Sequence, residues 1–269
     1  MLGPTSAMTV EAEAPRPTLV VAGRLLLEDT WQRGEVWMAG EQIVRVTATS
    51  DEDCTGARRI DVGQDYVIPG VVDAHVHSLS HAAEGIAAAT RSAAAGGVTS
   101  LCCPPQTKPV LDTSAVTELI LDRAREAGHS KVFPIGALSK NLDGEQLAEL
   151  VALRDAGCMA FGDGLHSFNN HRTLCRALEY AATFNLTVIL HAQDHDLAAG
   201  GIAHEGPTAS FLGLAGIPES AETVALARDL LLVEQSGVRA HFRQLTSARG
   251  AQMIADAQAR GLPVTADVA

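Results

Sequence analysis

The sequence predicts an α/β fold: a (β/α)8 barrel of the TIM type, truncated after strand 7, with a small β-domain in front. Three observations carry this expectation. From Tyr66 onward, short apolar runs alternate with amphipathic stretches in a strand, loop, helix rhythm. Seven strand candidates occur in that rhythm. No glycine-rich phosphate fingerprint follows the first of them, which favours a barrel over a doubly wound sheet. Before Tyr66 the rhythm is absent, and short apolar runs are broken by Gly23, Gly34 and Gly40.

Residues 1–17 read as a loose tail, in which Glu11, Glu13, Pro15 and Pro17 stand where a secretory signal would be basic and then apolar. Residues 18–66 form the small β-domain. Leu19-Val20-Val21, Leu25-Leu26-Leu27, Glu35-Val36-Trp37-Met38 and Ile43-Val44-Arg45-Val46 suit an antiparallel sheet with one wet face. Ala39-Gly40-Glu41 suits a tight turn between two of its strands. The barrel occupies 67–269, with strands expected at 67–72, 98–103, 131–136, 159–162, 187–190, 238–242 and 263–266. Helices are expected at 84–95, 113–127, 145–155, 172–183, 220–235 and 247–259, several with apolar residues three and four apart, such as Leu147, Leu150 and Val151. Gly96-Gly97, Gly128, Gly157 and Gly237 introduce four of the strands, where a helix end calls for a left-handed residue. Strands joined by helices pair in parallel through right-handed crossovers. The last strand candidate runs into Ala269 with no eighth behind it. That predicts two open sheet edges, and a sequence that is a fragment of a longer chain.

Composition narrows the function. Apolar residues at 46% and charged residues at 19% describe a folding chain. A net charge of -12, with no basic stripe, excludes a nucleic-acid partner. No apolar run approaches the roughly 18 residues of a membrane span. Five cysteines, an odd number with only Cys102 and Cys103 adjacent, suggest neither a disulfide framework nor a thiolate zinc site. A reduced, cytoplasmic setting is expected.

Polar residues that end barrel strands face the catalytic rim. Asp73-Ala74-His75-Val76-His77 follows the first strand, and two histidines two apart in extended chain point the same way, so both can reach one metal. Asp163, in Phe161-Gly162-Asp163-Gly164, follows the fourth strand and could bridge two metals. His191 closes the fifth strand with Gln193 and Asp194 beside it. For each of these a plain alternative stands: solvated loop histidines, an Asp in a turn, a structural His. His241 lies inside the sixth strand, and Gln244 occupies the loop position where a barrel hydrolase would place its next imidazole; glutamine is a poor metal ligand beside histidine. His81, His166, His171, His195 and His204 sit in loops or near helix starts. His204 precedes Glu205-Gly206, a rim segment that could touch a ligand or be plain surface. No cation stands near the first loop, Ser78-Leu79-Ser80-His81, to hold an acidic substrate.

The motif Pro69-Gly70-Val71-Val72-Asp73-Ala74-His75-Val76-His77 resembles the first strand of dihydroorotase and of cyclic amidohydrolases generally. Phe161-Gly162-Asp163-Gly164, His191-Ala192-Gln193-Asp194, His204-Glu205-Gly206, Leu212-Gly213-Leu214-Ala215-Gly216-Ile217-Pro218 and Val264-Thr265-Ala266-Asp267-Val268 follow in family order, so the likeness runs from about residue 18 to the end. The resemblance implies a metal-dependent hydrolase barrel that interconverts carbamoyl-aspartate and dihydroorotate with one or two zinc ions. It implies His75, His77 and His191 as metal ligands, Asp163 as the bridging group, and Gln106 and His204 as substrate contacts. The proton-transferring carboxylate, expected on strand 8, lies beyond Ala269. Several working positions depart from the pattern: the arginine after the paired histidines is missing, the second-strand asparagine is Gln106, and the fourth histidine is Gln244.

A narrower resemblance rests on residues 102–113, residues 132–138 and Ala240-His241-Phe242-Arg243-Gln244-Leu245. These are similar to the dihydroorotase-like non-catalytic chain of Pseudomonas-type aspartate carbamoyltransferase. That resemblance implies a chain that assembles with the aspartate carbamoyltransferase catalytic chain as a hetero-oligomer, or with itself, with weak or partial zinc occupancy. An active dihydroorotase and a hydrolase of another cyclic amide are the alternatives.

Overall fold

The computed structural model describes residues 16–48, 55–74, 76, 85–165, 168 and 170–268. They fall into two compact units that divide between Pro69 and Gly70. In the first, β1 (Leu19–Leu27), β2 (Thr30–Ala39), β3 (Gln42–Ala48) and β4 (Arg58–Tyr66) form a sheet in the order β3-β2-β1-β4. The β1–β2 hairpin turns on Glu28 and Asp29, both at positive φ (49° and 61°), as the twist-matched two-residue turn requires. The β2–β3 turn falls on Gly40 and Glu41, where it was expected. The sheet is mixed and not purely antiparallel, because β4 pairs in parallel with β1. The polar run of β4, Arg-Arg-Ile-Asp-Val-Gly-Gln-Asp-Tyr, has no apolar alternation to announce a strand. Val20, Ala22, Leu25 and Trp37 are buried, and Glu35 is buried with them, accepting from Trp37 Nε1 (2.9 Å) and Arg59 Nη2 (2.6 Å).

The second unit runs in the expected rhythm. It contains α1 (Gly85–Ala95), α2 (Ser114–Ala127), α3 (Leu150–Ala156), α4 (His171–Thr183), the short α5 (His195–Ala198) and α6 (Pro207–Phe211), α7 (Glu219–Ser236) and α8 (Ala248–Ala259). Its strands are β5 (Val71–Asp73), β6 (Val98–Cys103), β7 (Lys131–Gly136), β8 (Ala160–Phe161), β9 (Thr187–Leu190), β12 (Arg239–Leu245) and β13 (Val264–Val268). These seven pair in parallel, in chain order from β5 to β13, as in a barrel wall. A further two-residue ladder, β10 (Ala203–His204) with β11 (Gly216–Ile217), lies between β9 and α7 in the chain. No helix among the described residues is long and apolar enough to cross a membrane.

Alternation along each strand separates two environments. Val188, Leu190, Ala240 and Phe242 join the main core with helical residues such as Ile120, Leu174 and Leu226. Cys102, Ile135 and Ala160, with Ile189 against them, form a smaller cluster on the other face. The sixth barrel strand runs on to Leu245, so Gln244 lies within it and not in the loop beyond. Two expected boundaries move by four residues or more. The first strand begins at Val71 and not at 67, since Pro69 offers no N–H and a Cβ on Gly70 would collide with Thr99. The helix expected from 145 begins at Leu150, because residues 145–148 fold back on the preceding loop. Asp143 Oδ1 accepts from Glu145 N (2.8 Å), and Ala148 N donates to Leu138 O (2.9 Å).

Two buried carboxylates fix α7. Glu222 accepts from Thr246 N (2.6 Å), Thr246 Oγ1 (2.7 Å), Ser247 N (3.2 Å) and Ser247 Oγ (2.6 Å), tying α7 to the start of α8. Ser247 also caps α8 through Gly250 N (2.9 Å). Asp229 accepts from Arg228 Nε (2.7 Å), and Arg228 Nη1 donates to His171 Nε2 (2.8 Å) on α4. Burial pushes the Asp229 carboxyl above its ordinary range, against the opposing pull of Arg228.

Glu222→Ala should lower the unfolding free energy by about 2–4 kcal/mol, since it leaves several buried donors unsatisfied, while Glu222→Gln recovers part of the loss. Urea titration of both variants checks this. Asp229 gives a pH signature. Its folded pKa lies above the unfolded value of 3.8, so its contribution is full below that value and is lost as pH rises through the folded pKa. Asp229→Asn should therefore gain stability relative to wild type as pH is raised from about 4 to 7; a difference independent of pH would contradict it.

Candidate functional site

The C-terminal ends of the parallel strands carry the candidate site. At the end of β8, Gly162 passes so close to β9 that a Cβ there would stand 2.4 Å from Ile189 O. This contact sets the path of the next residue, Asp163. Its carboxylate is buried: Oδ1 accepts from Leu138 N (2.8 Å) and Ser139 N (3.0 Å), and Oδ2 accepts from Ser139 Oγ. Asp163 therefore holds the loop after β7 in place. At Gly164, with φ of 66°, any side chain would run into the Gln106 carboxamide, so Gln106 is packed over the Asp163–Gly164 turn.

His191 follows β9. Burial holds its imidazole below the ordinary histidine pKa, and hydrogen bonding with the Arg243 backbone and the Gln193 side chain works the other way. Its Nδ1 is buried with no hydrogen-bond partner among the described residues. Asp163, His191, Arg228 and Asp229 share the lining of a cavity of about 10 Å³, the size of a single water site. The structure thus brings Gln106, Asp163 and His191 to one part of the rim. His204 stands exposed in the β10–β11 ladder. His75 and His77 lie outside the described residues.

A larger cavity, about 300 Å³, lies on the face of the sheet away from the helices. Cys102, Ile135, Ala160 and Ile189 line its apolar side, and His241, Arg243, Thr265 and Asp267 its polar side. His241 Nδ1 meets Thr265 Oγ1 at 2.8 Å and its Nε2 meets Asp267 Oδ2 at 3.0 Å. The other Asp267 oxygen accepts from Gln244 N at 2.5 Å. Gln244 sits at the irregularity between β12 and β13 with a left-handed backbone, φ of 57°. Burial pulls the Arg243 guanidinium below its ordinary pKa, while the charge of Asp267 opposes the shift. Sequence reasoning sought a cation only beside the first-strand loop and so passed over Arg243. The signal was available: in Ala240-His241-Phe242-Arg243 the apolar residues enter the main core and the polar ones line the cavity.

Among the described residues no three of His, Cys, Asp and Glu lie together as a ligand set for a metal. His191 Nδ1 is not engaged by a described residue, but the Asp163 oxygens already hold three protein donors. The described residues do not by themselves fit a zinc ion.

The comparisons with known proteins agree on the family. A family model described as dihydro-orotase-like matches residues 65–249. A dihydroorotase-like protein of Pseudomonas putida is 70% identical over 218 residues, 80% of this chain and 51% of that protein. Another, from Pseudomonas aeruginosa, is 60% identical over 258 residues, 94% and 61% of the two chains. A dihydroorotase of Syntrophobacter fumaroxidans is 47% identical over 213 residues, 78% and 48% of the two chains. The chain therefore spans about half to three-fifths of the length of these curated relatives. An L-hydantoinase structure from Arthrobacter aurescens shares the fold, with a TM-score of 0.74 at 23% identity, covering 94% of this chain and 58% of that one. Motif order, strand order and relatives converge, and the chain belongs to the dihydro-orotase-like family.

Proposed function

We propose that this chain works as a non-catalytic subunit that assembles with the catalytic chain of aspartate carbamoyltransferase in pyrimidine biosynthesis, and does not turn over dihydroorotate. The observation that carries the reading is Gln244. It stands at the rim position where the family resemblance calls for an imidazole, and its N–H is fixed on Asp267. Its amide is a weak donor to a divalent metal. Two further features support it. The Asp163 carboxylate is engaged by the loop after β7, and the segment 78–81 contains no arginine. Dihydroorotate carries a carboxylate that must be held while its ring amide reacts, and loss of positioning alone costs orders of magnitude in rate. Relatives named dihydroorotase-like are more similar to the chain than the relative named dihydroorotase from Syntrophobacter fumaroxidans.

One observation favours a second reading, an active dihydroorotase or a hydrolase of a related cyclic amide. The buried Nδ1 of His191, which no described residue engages, lies at the rim with Asp163 and Gln106.

Both readings meet in one preparation of the full-length protein made without chelator. We expect less than one tightly held zinc per chain, no dihydroorotase activity in excess zinc, and co-purification with the transcarbamoylase, whose assembly requires the chain. Turnover of about 1 per second or more, with a transcarbamoylase that assembles equally well alone, overturns the proposal. Gln244→His should raise the zinc content without restoring turnover, because the carboxylate clamp is still missing; recovery of ordinary turnover in that variant would show that the clamp is dispensable.

A further inference from the structure

Between β9 and α7 lies a structural unit from which only His204 is a candidate for the site. Its backbone is tied together internally: Ile202 N donates to Ala215 O (3.0 Å), Glu205 N to Ile217 O (2.8 Å) and Leu214 N to Ala209 O (2.9 Å), around the β10–β11 ladder. Its apolar side chains nevertheless face outward. Phe211 is 89% exposed and Ile202 72%, with Leu197, Leu212 and Leu214 exposed beside them in the same short stretch. A cluster of large apolar side chains on an ordered backbone marks an interaction surface, and an aromatic residue held out in this way is the usual anchor of one.

The charges choose the occupant. From 177 to 227 the sequence contains no lysine or arginine, and Asp196, Glu205 and Glu219 are exposed around the apolar residues. A second copy docked through the same face would set these acids against each other, in a chain whose net charge is already -12. A surface with an apolar centre and a rim of lysine or arginine is complementary instead. We infer that residues 194–219 form the docking surface for the partner chain, with Phe211 as its anchor and a basic-rimmed apolar patch as its counterpart. The inference rests on the proposed function, since the partner it names is the transcarbamoylase chain.

The test uses the full-length protein and purified transcarbamoylase. Hydrogen exchange of 195–217 should slow only when the partner is added, and binding should weaken as salt is raised. Phe211→Asp should weaken binding by about tenfold or more with an unchanged melting temperature. Leu231→Ser, which alters an exposed apolar residue of α7 outside the unit, should bind as wild type does. Equal binding by Phe211→Asp and wild type overturns the docking surface and leaves the proposed function standing. Protection of 195–217 in the full-length chain alone also overturns it, because the rest of the chain or a second copy then covers the patch. Sedimentation separates those two causes: a wild-type dimer split by Phe211→Asp assigns the face to self-association. If the wild-type chain fails to bind transcarbamoylase at all, the proposed function and the docking surface fall together.

Discussion

The register of seven parallel strands is the constraint on which the second unit depends. Because neighbours pair in chain order and all run the same way, every strand ends on one side. Because side chains alternate along each strand, a single register decides both the helix-facing core and the cavity-facing lining. Val188 and Phe242 enter the core, while Ile189 and His241 line the cavity. A one-residue slip of β12 would put His241 and Arg243 into the apolar layer against the helices, where neither could be satisfied. The apolar residues of β12 are therefore as much a part of the site as the polar ones.

At the strand ends a second pattern recurs. Asp163 binds the amides of residues 138 and 139, Glu222 those of 246 and 247, and Asp267 that of 244. Each is a carboxylate taken up by backbone donors at or just beyond the end of a neighbouring strand. Such charge-assisted bonds are short and directional, and they hold loops that have few apolar contacts of their own. The acidic composition of the chain thus has an internal use. Asp163, which the sequence offers as a metal bridge, serves here as a clamp on the backbone, as do Glu222 and Asp267.

This double use explains what was legible beforehand and what was not. The strands 98–103, 131–136 and 187–190 match the structure residue for residue, because their apolar runs are sharply bounded, the first two by glycines and the third by Asn185 at φ of 53°. The strand at 58–66 was not legible: its pairing with β1 is made by backbone, and its side chains are mostly polar and exposed. The helix start at 150 was obscured by a turn built on Asp143, whose side chain competes with helix formation at 145. At the site, Gln106, Asp163 and His191 could be named from the motifs. That Gln106 would pack over Gly164, and that Asp163 would be filled by Ser139, depended on residues far away in the chain.

Gln244 joins these strands of argument. A non-glycine residue at φ of 57° is held against a local cost of about 1–2 kcal/mol. Such a conformation persists only where its surroundings fix it. The surroundings here are visible: Asp267 takes the Gln244 amide on one oxygen and His241 on the other, and His241 reaches on to Thr265. The bend at the end of β12 is therefore set by a network within β12 and β13 and asks nothing of the Gln244 side chain. On the proposed reading this is how a rim can lose an imidazole and keep its shape. The hydrogen bonds that position the backbone are independent of the group that would have performed chemistry, so replacing that group costs the fold little, and the barrel remains available as a rigid body on which a partner can assemble.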